Sequence, residues 1–241
     1  MEEEDDADVA FLSAMSEPRT YAEAMCHTDA FQWHQAALDE LAAHKRNGTW
    51  RLVKRPKEHR VIGSKWVFKV KRNADGSIDH YKGCLVAKGY NQRPGFDYLK
   101  IFTPTVHMAS IHIILALAAI HNLHLRSVDV SNAYLNGEMD CDIYMEQPEG
   151  FAEGDPKEWV CLLVKALYGT KQGGNCWNHK MCSVLESLGF KQSYSNAAIY
   201  VMSKGDLHII PPVFVDDMTF VSQSLSAIKD IIAQLRQHFK L

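Results

Sequence analysis

The sequence predicts an α+β protein, and three stretches with different hydrophobic patterns carry that prediction. Over residues 28–45 apolar residues recur at roughly helical spacing, with Asp29 near the start and Asn47-Gly48 as the stop. Residues 49–89 instead form short β-rich runs. Residues 110–121 are almost continuously apolar. Helices combined with strands and antiparallel hairpins are typical of the α+β class.

The first half of the chain is predicted to contain one helix and three strands. The helix carries Trp33, which we expect to be a core aromatic residue rather than a ligand contact. The turn composition of residues 73–77 joins the last two strands into an antiparallel hairpin. The three strands are residues 50–53, 65–71 and 81–87.

The second half of the chain continues with helices and strands. A buried helix is predicted over Ser110–His121, and the alternating strand that follows it has Asp129 at its far end. Beyond a loop region, residues 159–164 form a further strand. Residues 167–188 form a turn and a helix that ends at Gly189.

Length and composition favour an intracellular protein. With 241 residues the chain is long enough to bury a sizeable core. Its longest apolar stretch, Ile113–Ile120, is much shorter than the roughly 20 residues of a membrane-spanning helix, so no membrane partner is expected. The N-terminus is acidic and lacks the apolar core of a signal peptide. We therefore expect a cytoplasmic protein whose six cysteines are reduced thiols.

The net charge of −3 is unevenly distributed along the chain. Six acids and no base lie within residues 1–8, which we expect to belong to a flexible acidic arm over residues 1–18. Residues 45–93 hold fourteen Lys or Arg against three acids, a local net charge of +11, with five aromatic residues interleaved. Such a face attracts polyanions such as nucleic acid. A lysine-rich hairpin that merely keeps the protein soluble is the alternative.

An adjacent carboxylate pair, Asp216-Asp217, lies inside the apolar run Val213–Met218. Burying two like charges side by side is costly unless a cation neutralises them, so this pair suggests a divalent metal site. A third candidate carboxylate, Asp129, lies far upstream. The dipeptide alone is weak, because Asp5-Asp6 in the acidic arm is best explained as a solvated charge run.

The segments around these carboxylates resemble the palm of a reverse transcriptase, specifically that of copia-type long-terminal-repeat retrotransposons. The three segments are Asp129–Gly137, Leu167–Gln172 and Val215–Met218. The resemblance extends over roughly Glu17 to Leu241. Further ordered matches, which make it specific, are Thr20-Tyr21 with Glu23-Ala24-Met25, Asn47-Gly48-Thr49-Trp50 with Leu52-Val53, Ile62–Lys69, Asp75–Ile78, Leu85–Tyr90, and Ile143-Tyr144-Met145 with Gln147–Phe151.

For the fold, the resemblance implies right-hand polymerase fingers and a partial palm, an antiparallel sheet with packed helices, and no thumb. The reverse transcriptase domain would cover residues 19–241, with basic fingers hairpins at about 45–93 and the palm at about 105–241. The chain ends at Phe239-Lys240-Leu241, within the helix expected after the carboxylate hairpin, so a truncated palm is expected.

For function, the resemblance implies an RNA-directed DNA polymerase that extends a primer 3′-hydroxyl on an RNA or DNA template with deoxynucleoside triphosphates. Asp129 and Asp216 would hold two Mg²⁺ ions, which Mn²⁺ can replace, and Asp217 would support the same site. The expected protein partner is the remainder of a retrotransposon polyprotein. An intact parent element would place the chain in a virus-like particle.

The resemblance also implies residues that contact the nucleotide. Tyr134 matches the aromatic position that excludes a ribose 2′-hydroxyl, although a packed core tyrosine is the alternative. Backbone amides near Asn132 and Ala133 would face the triphosphate. Lys171 and Gln172 match a segment that lies against nucleotide and template, whereas residue type alone favours a surface pair. The candidates for phosphate contacts in the basic hairpin are Lys65, Lys69 and Lys82.

Several residues depart from the family pattern. Cys84 stands where an arginine is expected to grip the nucleotide phosphates, so a charge-assisted contact is lost. Gly173–Cys176 replaces a stiffer segment that usually contains a Pro-Arg pair, and Pro211-Pro212 removes donors from the strand of the carboxylate hairpin. These changes favour an alternative function, a catalytically inactive remnant that retains at most nucleic-acid binding. Milder departures are His112, Thr170 and Phe214.

Other chemistries have little support in the sequence. Cys176, His179 and Cys182 lie at successive i+3 positions that drift around a helix, and no Cys-x-x-Cys pair accompanies them, so zinc is not expected. Neither a phosphate-binding glycine loop nor a nucleophile-elbow serine is present. A hydrolase is therefore not indicated.

Overall fold

The computed structural model describes residues 17–241. The acidic arm predicted over residues 1–18 therefore lies, up to residue 16, outside the described residues. The chain divides into two compact units. The first contains residues up to Asp97 together with Cys141–Lys171, and the second contains Tyr98–Asp140 together with Gln172–Leu241. Each unit is thus built from two separate stretches of sequence.

Residues 17–241 form helices and strands in the mixed order of an α+β protein, as predicted. The helices are α1 (Tyr21–Cys26), α2 (Ala30–Asn47), α3 (Met108–Ile120), α4 (Gly173–Ser187) and α5 (Leu225–Leu235). The strands are β1 (Trp50–Lys54), β2 (Val61–Ile62), β3 (Ser64–Arg72), β4 (Ile78–Ala87), β5 (His124–Asp129), β6 (Glu138–Met145), β7 (Trp159–Lys165), β8 (Lys191–Gln192), β9 (Tyr200–Lys204), β10 (Leu207–Ile210), β11 (Val213–Phe214) and β12 (Asp217–Ser222). Short 3₁₀ helices lie at Gly89–Asn91 and Ala133–Asn136.

Helix α2 of the first unit begins and ends close to its predicted limits. It stops at Gly48, whose left-handed backbone (φ +59°) lets its N–H donate to the carbonyl of Lys45. Trp33 is buried on this helix, as predicted, and its ring centroid lies 4.6 Å from that of Tyr81. The aromatic contact attaches α2 to strand β4.

Strands β3 and β4 form the predicted antiparallel hairpin. The Asn73 N–H donates to the Ser77 carbonyl at 2.9 Å and closes the predicted turn. Alternation along β3 gives the hairpin two faces: Trp66 and Phe68 are buried, whereas Lys65 is exposed. The remaining strands of this unit form a four-stranded sheet in the order β1-β7-β6-β2. Within it, β1 and β7 pair antiparallel, and β2 and β6 pair in parallel.

The second unit is built on a sheet in the order β11-β12-β10-β9-β8, and β5 pairs with β12. Asp129 is the last residue of β5, as the sequence predicted. Helices α4 and α5 contribute to one hydrophobic core with this sheet. Its largest buried members are Trp177, Phe190, Tyr200 and Phe220. The core therefore supports the strands that carry the three aspartates.

Helix α3 is less buried than its sequence predicted. Ile114 and Ala118 are buried against the sheet near Val221, but Ile113 and Ile120 are 60% and 74% exposed. The helix is apolar around its whole circumference, and only the stripe at i and i+4 meets the sheet. Hydrophobicity alone could not tell the buried stripe from the exposed one. None of the helices within residues 17–241 is both long and apolar enough to span a bilayer.

Pro211-Pro212 separates strands β10 and β11 but still contributes hydrogen bonds to the sheet. Strand β10 ends at Ile210, and β11 begins only after Pro211-Pro212. Each proline carbonyl accepts a backbone hydrogen bond, from the Tyr200 N–H at 3.2 Å and the Thr219 N–H at 3.3 Å. The prolines therefore occupy positions that need acceptors and no donors.

The helix after the carboxylate hairpin was expected to include residues 239–241 but ends before them. Helix α5 ends at Leu235, and its N-cap Ser224 accepts a hydrogen bond from the Ala227 N–H. The residues beyond the helix turn back onto the core. Phe239 is buried there, with its ring centroid 5.1 Å from that of Trp177.

Candidate active site

Asp129 and Asp217 lie directly opposite each other on neighbouring antiparallel strands. The next pair along, Val130 and Asp216, is joined by a hydrogen bond from the Val130 N–H to the Asp216 carbonyl at 2.9 Å. Because hydrogen-bonded and non-hydrogen-bonded pairs alternate, Asp129 and Asp217 form a non-hydrogen-bonded pair. Such pairs bring their side chains to the same face with Cα atoms roughly 4.5 Å apart. Two residues far apart in sequence therefore meet at one sheet position.

Asp216 lies in the turn between β11 and β12, next to a strained residue. Val215 has a positive φ of +58°, which is rare for a β-branched side chain and costs roughly 1–2 kcal/mol. The indole N–H of Trp177 donates to the Val215 carbonyl at 2.7 Å. This bond reaches the turn from helix α4 and fixes the peptide that precedes Asp216.

The three carboxylates are not buried together, contrary to the expectation drawn from their apolar flanks. Asp129 and Asp217 are exposed and Asp216 is half-buried. The apolar neighbours Val213 and Met218 are buried because they point to the opposite side of the hairpin. Apolar flanks here reflect the strand alternation and not the burial of charge.

The charges nevertheless influence one another. The pKa of Asp217 is raised above its ordinary value, first by partial removal from water and then by the charges of Asp216 and Asp129. A cation bound near the three carboxylates would relieve this repulsion. Carboxylate oxygens are also the ligands that Mg²⁺ and Mn²⁺ prefer.

The donor set therefore fits a divalent metal in its chemistry. Across residues 17–241, however, no three His, Cys, Asp or Glu side chains are arranged as a metal-binding group. This statement covers the three aspartates, and it covers Cys176, His179 and Cys182 as well. Cys176 is buried, which raises the pKa of its thiol to about 11 and makes it a poor metal ligand.

Tyr134 lies between the core and the solvent. It is on the 3₁₀ helix Ala133–Asn136, and its side chain is half-buried. Burial and the charge of Asp216 both raise the pKa of its hydroxyl. The electrostatic influence of Asp216 connects Tyr134 to the carboxylates in the same unit. A fully packed core tyrosine, the alternative considered from sequence, does not describe this position.

The other residues predicted to contact the nucleotide differ in how deeply they are buried. Asn132 has a positive φ of +52°, which asparagine tolerates well, and Ala133 is completely buried. Gln172 is also completely buried, so the surface location favoured by its residue type was wrong. Lys171 is exposed, and its backbone N–H donates to Gln92 Oε1 at 2.7 Å. Gln92, which is buried, was not identified from the sequence.

The basic hairpin of the first unit carries its lysines on the solvent side. Lys65, Lys69 and Lys82 are exposed, and Lys69 lies directly opposite Lys82. Like charges at paired positions repel each other. Lys69 also forms an ion pair with Glu17, which lowers the pKa of that carboxyl. The ion pair with Glu17 therefore partly neutralises the charge of Lys69.

Cys84 lies on the same strand as Lys82, two residues further along, and therefore on the same face. Its thiol is half-buried, and its pKa is raised by burial and by the charge of Glu40. A neutral thiol thus occupies the position where the resemblance leads us to expect an arginine. This face lacks one positive charge relative to that expectation.

Two open cavities of the second unit lie at different places. The one beside Asp217 has a volume of about 310 Å³, and Phe214, Ser127 and Thr219 also line it. A larger one of about 590 Å³ is lined by Glu138, Asp140 and residues of α4, and by none of the three aspartates. Of the two, only the smaller cavity would let a bound ligand contact one of the three aspartates, Asp217.

Comparison with known proteins identifies the family to which the chain belongs. A family model described as "Reverse transcriptase (RNA-dependent DNA polymerase)" matches residues 47–241. The chain is 38% identical over 95% of its length to the retrovirus-related Pol polyprotein from transposon RE1 of Arabidopsis thaliana, and covers 16% of that protein. It is 37% identical over 95% of its length to the corresponding polyprotein from transposon TNT 1-94 of Nicotiana tabacum, and covers 17% of it.

A relative of lower identity is also a transposon polyprotein. The chain is 30% identical over 75% of its length to the transposon Ty1-BL Gag-Pol polyprotein of Saccharomyces cerevisiae, and covers 10% of it. The chain thus spans about a sixth of the length of the plant relatives. With the family model covering most of the chain, these matches confirm the resemblance found in the sequence. The chain belongs to the reverse transcriptase (RNA-dependent DNA polymerase) family, as part of the copia-type branch of retrotransposon Pol polyproteins.

Proposed function

We propose that this chain is an RNA-directed DNA polymerase domain of a copia-type retrotransposon polyprotein, and that it extends a primer 3′-hydroxyl on an RNA or DNA template. One observation carries the proposal: Asp129 lies opposite Asp217, with Asp216 in the adjoining turn, in a chain of the reverse transcriptase family. The reaction joins the 3′-oxygen of the primer to the α-phosphorus of a deoxynucleoside triphosphate and releases pyrophosphate. An intracellular, cytoplasmic setting belongs to the same proposal.

The three aspartates would hold the metal ions. Asp129 and Asp216 would ligate two Mg²⁺ or Mn²⁺ ions, and Asp217 would support the same site. When bound, such ions activate the attacking hydroxyl and stabilise the charge on the leaving pyrophosphate. The exposure of Asp129 and Asp217 supports this role, because nucleotide and primer must reach the carboxylates from solvent.

Residues of the second unit would select and position the nucleotide. Tyr134 would exclude a ribose 2′-hydroxyl with its ring. Its half-buried position supports this role, because the side chain must be held in place by the protein and must also present one edge of its ring to the nucleotide. The backbone near Asn132 and Ala133 would face the triphosphate, and Ala133 could do so only through its backbone because its side chain is buried. The buried Gln172 would support the nucleotide-facing segment from within the second unit. Lys171 is the last residue of the first unit; it is exposed and would contact phosphate or template.

The first unit would bind phosphate groups through its basic hairpin. Lys65, Lys69 and Lys82 are the proposed contacts. An anion between Lys69 and Lys82 would relieve the repulsion of their paired positions. Binding of this kind is independent of base sequence and weakens as salt rises.

A second candidate function is nucleic-acid binding without catalysis. Cys84 favours it, because a neutral thiol replaces the expected phosphate-binding arginine while the neighbouring lysines remain. Such a chain would bind primer-template through the basic hairpin and would not extend the primer. The two candidates differ in one measurable property, the incorporation of nucleotide.

Primer extension by the purified chain distinguishes them. The assay uses a DNA primer on an RNA template with Mg²⁺ and deoxynucleotides, and separate binding measurements at several salt concentrations. We expect Asp129→Asn and Asp216→Asn to abolish extension while binding is retained. Asp206→Asn, an exposed aspartate in the turn between β9 and β10, is the matched control and should extend normally. Salt-dependent binding without extension by the unmodified chain would favour the second candidate.

A further inference from the structure

The 3₁₀ helix that carries Tyr134 is followed by Gly137, whose backbone lies unusually close to helix α4 of the second unit. The 3₁₀ helix packs against the first turns of α4, and a Cβ atom placed on Gly137 would lie 2.6 Å from the backbone nitrogen of Trp177. Real Cβ atoms do not approach that closely. The two backbones are therefore in close contact at Gly137.

Gly174, on the first turn of α4, lies beside the hydroxyl end of that ring. A Cβ atom on Gly174 would lie 3.6 Å from Tyr134 Oη and 2.9 Å from Thr103 Oγ1. Gly174 lines a cavity of about 110 Å³ beside the ring, and a Cβ atom on it would fit only if the Thr103 hydroxyl moved aside. The cavity is lined by Thr103, Tyr134, Gly174, Trp177 and Val215, among others.

We propose that Gly174 is a specificity-determining residue that weakens the discrimination against ribonucleotides. An aromatic ring excludes a hydroxyl only as far as its own support resists displacement, and a close-packed support resists far more than a cavity does. With Gly174 behind it, the ring of Tyr134 can withdraw into the cavity and admit a ribose 2′-hydroxyl. The inference rests on the proposed function and extends its substrate class to ribonucleoside triphosphates.

The test compares deoxynucleotide with ribonucleotide incorporation in Gly174→Ala. The added methyl group is expected to raise the preference for the deoxynucleotide about tenfold, the lower end for one methylene-sized contact in a pocket. Ser183→Ala is the control, because it also raises helix propensity, although by less than Gly→Ala does, at an exposed position of α4. Thr103→Ala enlarges the cavity without crowding and should lower the preference. An unchanged preference in both Gly174→Ala and Thr103→Ala would overturn the proposal.

A second set of variants shows whether the effect passes through Tyr134. In a Tyr134→Ala background the ring is absent, and Gly174→Ala should no longer change the preference. A shift of the same size in that background would mean that residue 174 acts through some other contact. That result would also overturn the proposal.

A measurement that needs no catalysis separates this inference from the proposed function. In chain labelled with ¹³C-tyrosine, the Tyr134 resonance is assigned with Tyr134→Phe, and its ring-flip rate is measured by NMR. The flip should slow in Gly174→Ala and remain unchanged in Ser183→Ala. A chain that extends no primer contradicts the proposed function, whereas an unaltered flip rate in Gly174→Ala contradicts the support role of Gly174 even then.

Discussion

The indole N–H of Trp177 donates a 2.7 Å hydrogen bond to the carbonyl of Val215, the residue with positive φ that precedes Asp216. Trp177 is itself fixed, because it is 1% exposed and contacts Phe239. The bond therefore joins the core of the second unit to the tip of the carboxylate hairpin. It compensates part of the strain that the turn imposes on a β-branched residue.

Trp177→Phe removes this donor while keeping most of the aromatic surface. Because the Val215 carbonyl loses its partner and the smaller ring leaves space, we expect the free energy of unfolding to fall by about 2 kcal/mol in urea titrations. We also expect kcat for primer extension to fall roughly tenfold, because Asp216 follows the freed peptide. Trp159→Phe makes the same change in the first unit, at a half-buried position. Equal losses of activity in the two variants would contradict a positioning role for Trp177.

Asp217→Asn should stabilise the chain at neutral pH. The pKa of Asp217 is raised in the folded state, so its ionised form opposes folding above that pKa, and the opposition disappears as the pH falls through it. The gain at pH 7 should stay below about 1 kcal/mol, because the carboxylate is exposed and screened by solvent. Urea titrations from pH 3 to pH 8 would measure it. The advantage over the unmodified chain should vanish at the acidic end, and a gain that persists there would contradict the repulsion as its cause.

Mg²⁺ should stabilise the folded chain through the aspartates. A ligand that binds only the folded state adds about 1.4 kcal/mol at ten times its Kd, which appears as a rise in Tm by differential scanning calorimetry. Asp129→Asn should abolish most of that rise, whereas Asp206→Asn should retain it. The same rise in all three chains would place the bound Mg²⁺ away from Asp129.

Cys84→Arg should strengthen binding to primer-template. The residue lies on the face of the basic hairpin that carries Lys82, so a guanidinium there would add one phosphate contact. We expect the slope of log K against log salt to steepen by about one unit, measured by fluorescence anisotropy. Cys26→Arg adds the same charge at an exposed cysteine on α1 and is the control. An equal gain from Cys26→Arg would show a general charge effect.

Local pattern predicted several elements of this fold. The spacing of apolar residues identified helix α2, the turn residues at 73–77 identified the β3–β4 hairpin, and the alternation after α3 placed Asp129 at a strand end. These features depend on residues close together in the chain. Hydrogen bonding and side-chain alternation act over the same short range, so sequence reasoning can follow them.

Burial was predicted less well, because it depends on what packs against an element. Helix α3 was expected to be buried and is largely exposed, and Gln172 was expected at the surface and is buried. The aspartates were expected to be buried with their apolar flanks and are exposed or half-buried. In each case the residue type was read correctly, and the neighbouring elements decided the outcome.

The sequence by itself determined the reverse transcriptase family and the three candidate carboxylates, because ordered motifs and adjacent acids are properties of the chain alone. Only the tertiary structure decided that Asp129 lies opposite Asp217, that Trp177 supports the Val215 carbonyl, and that Gly174 lines a cavity beside Tyr134. Register, hydrogen bonding across the core and cavities arise from contacts between residues distant in sequence. Such contacts form when strands and helices pack, and no local pattern encodes them.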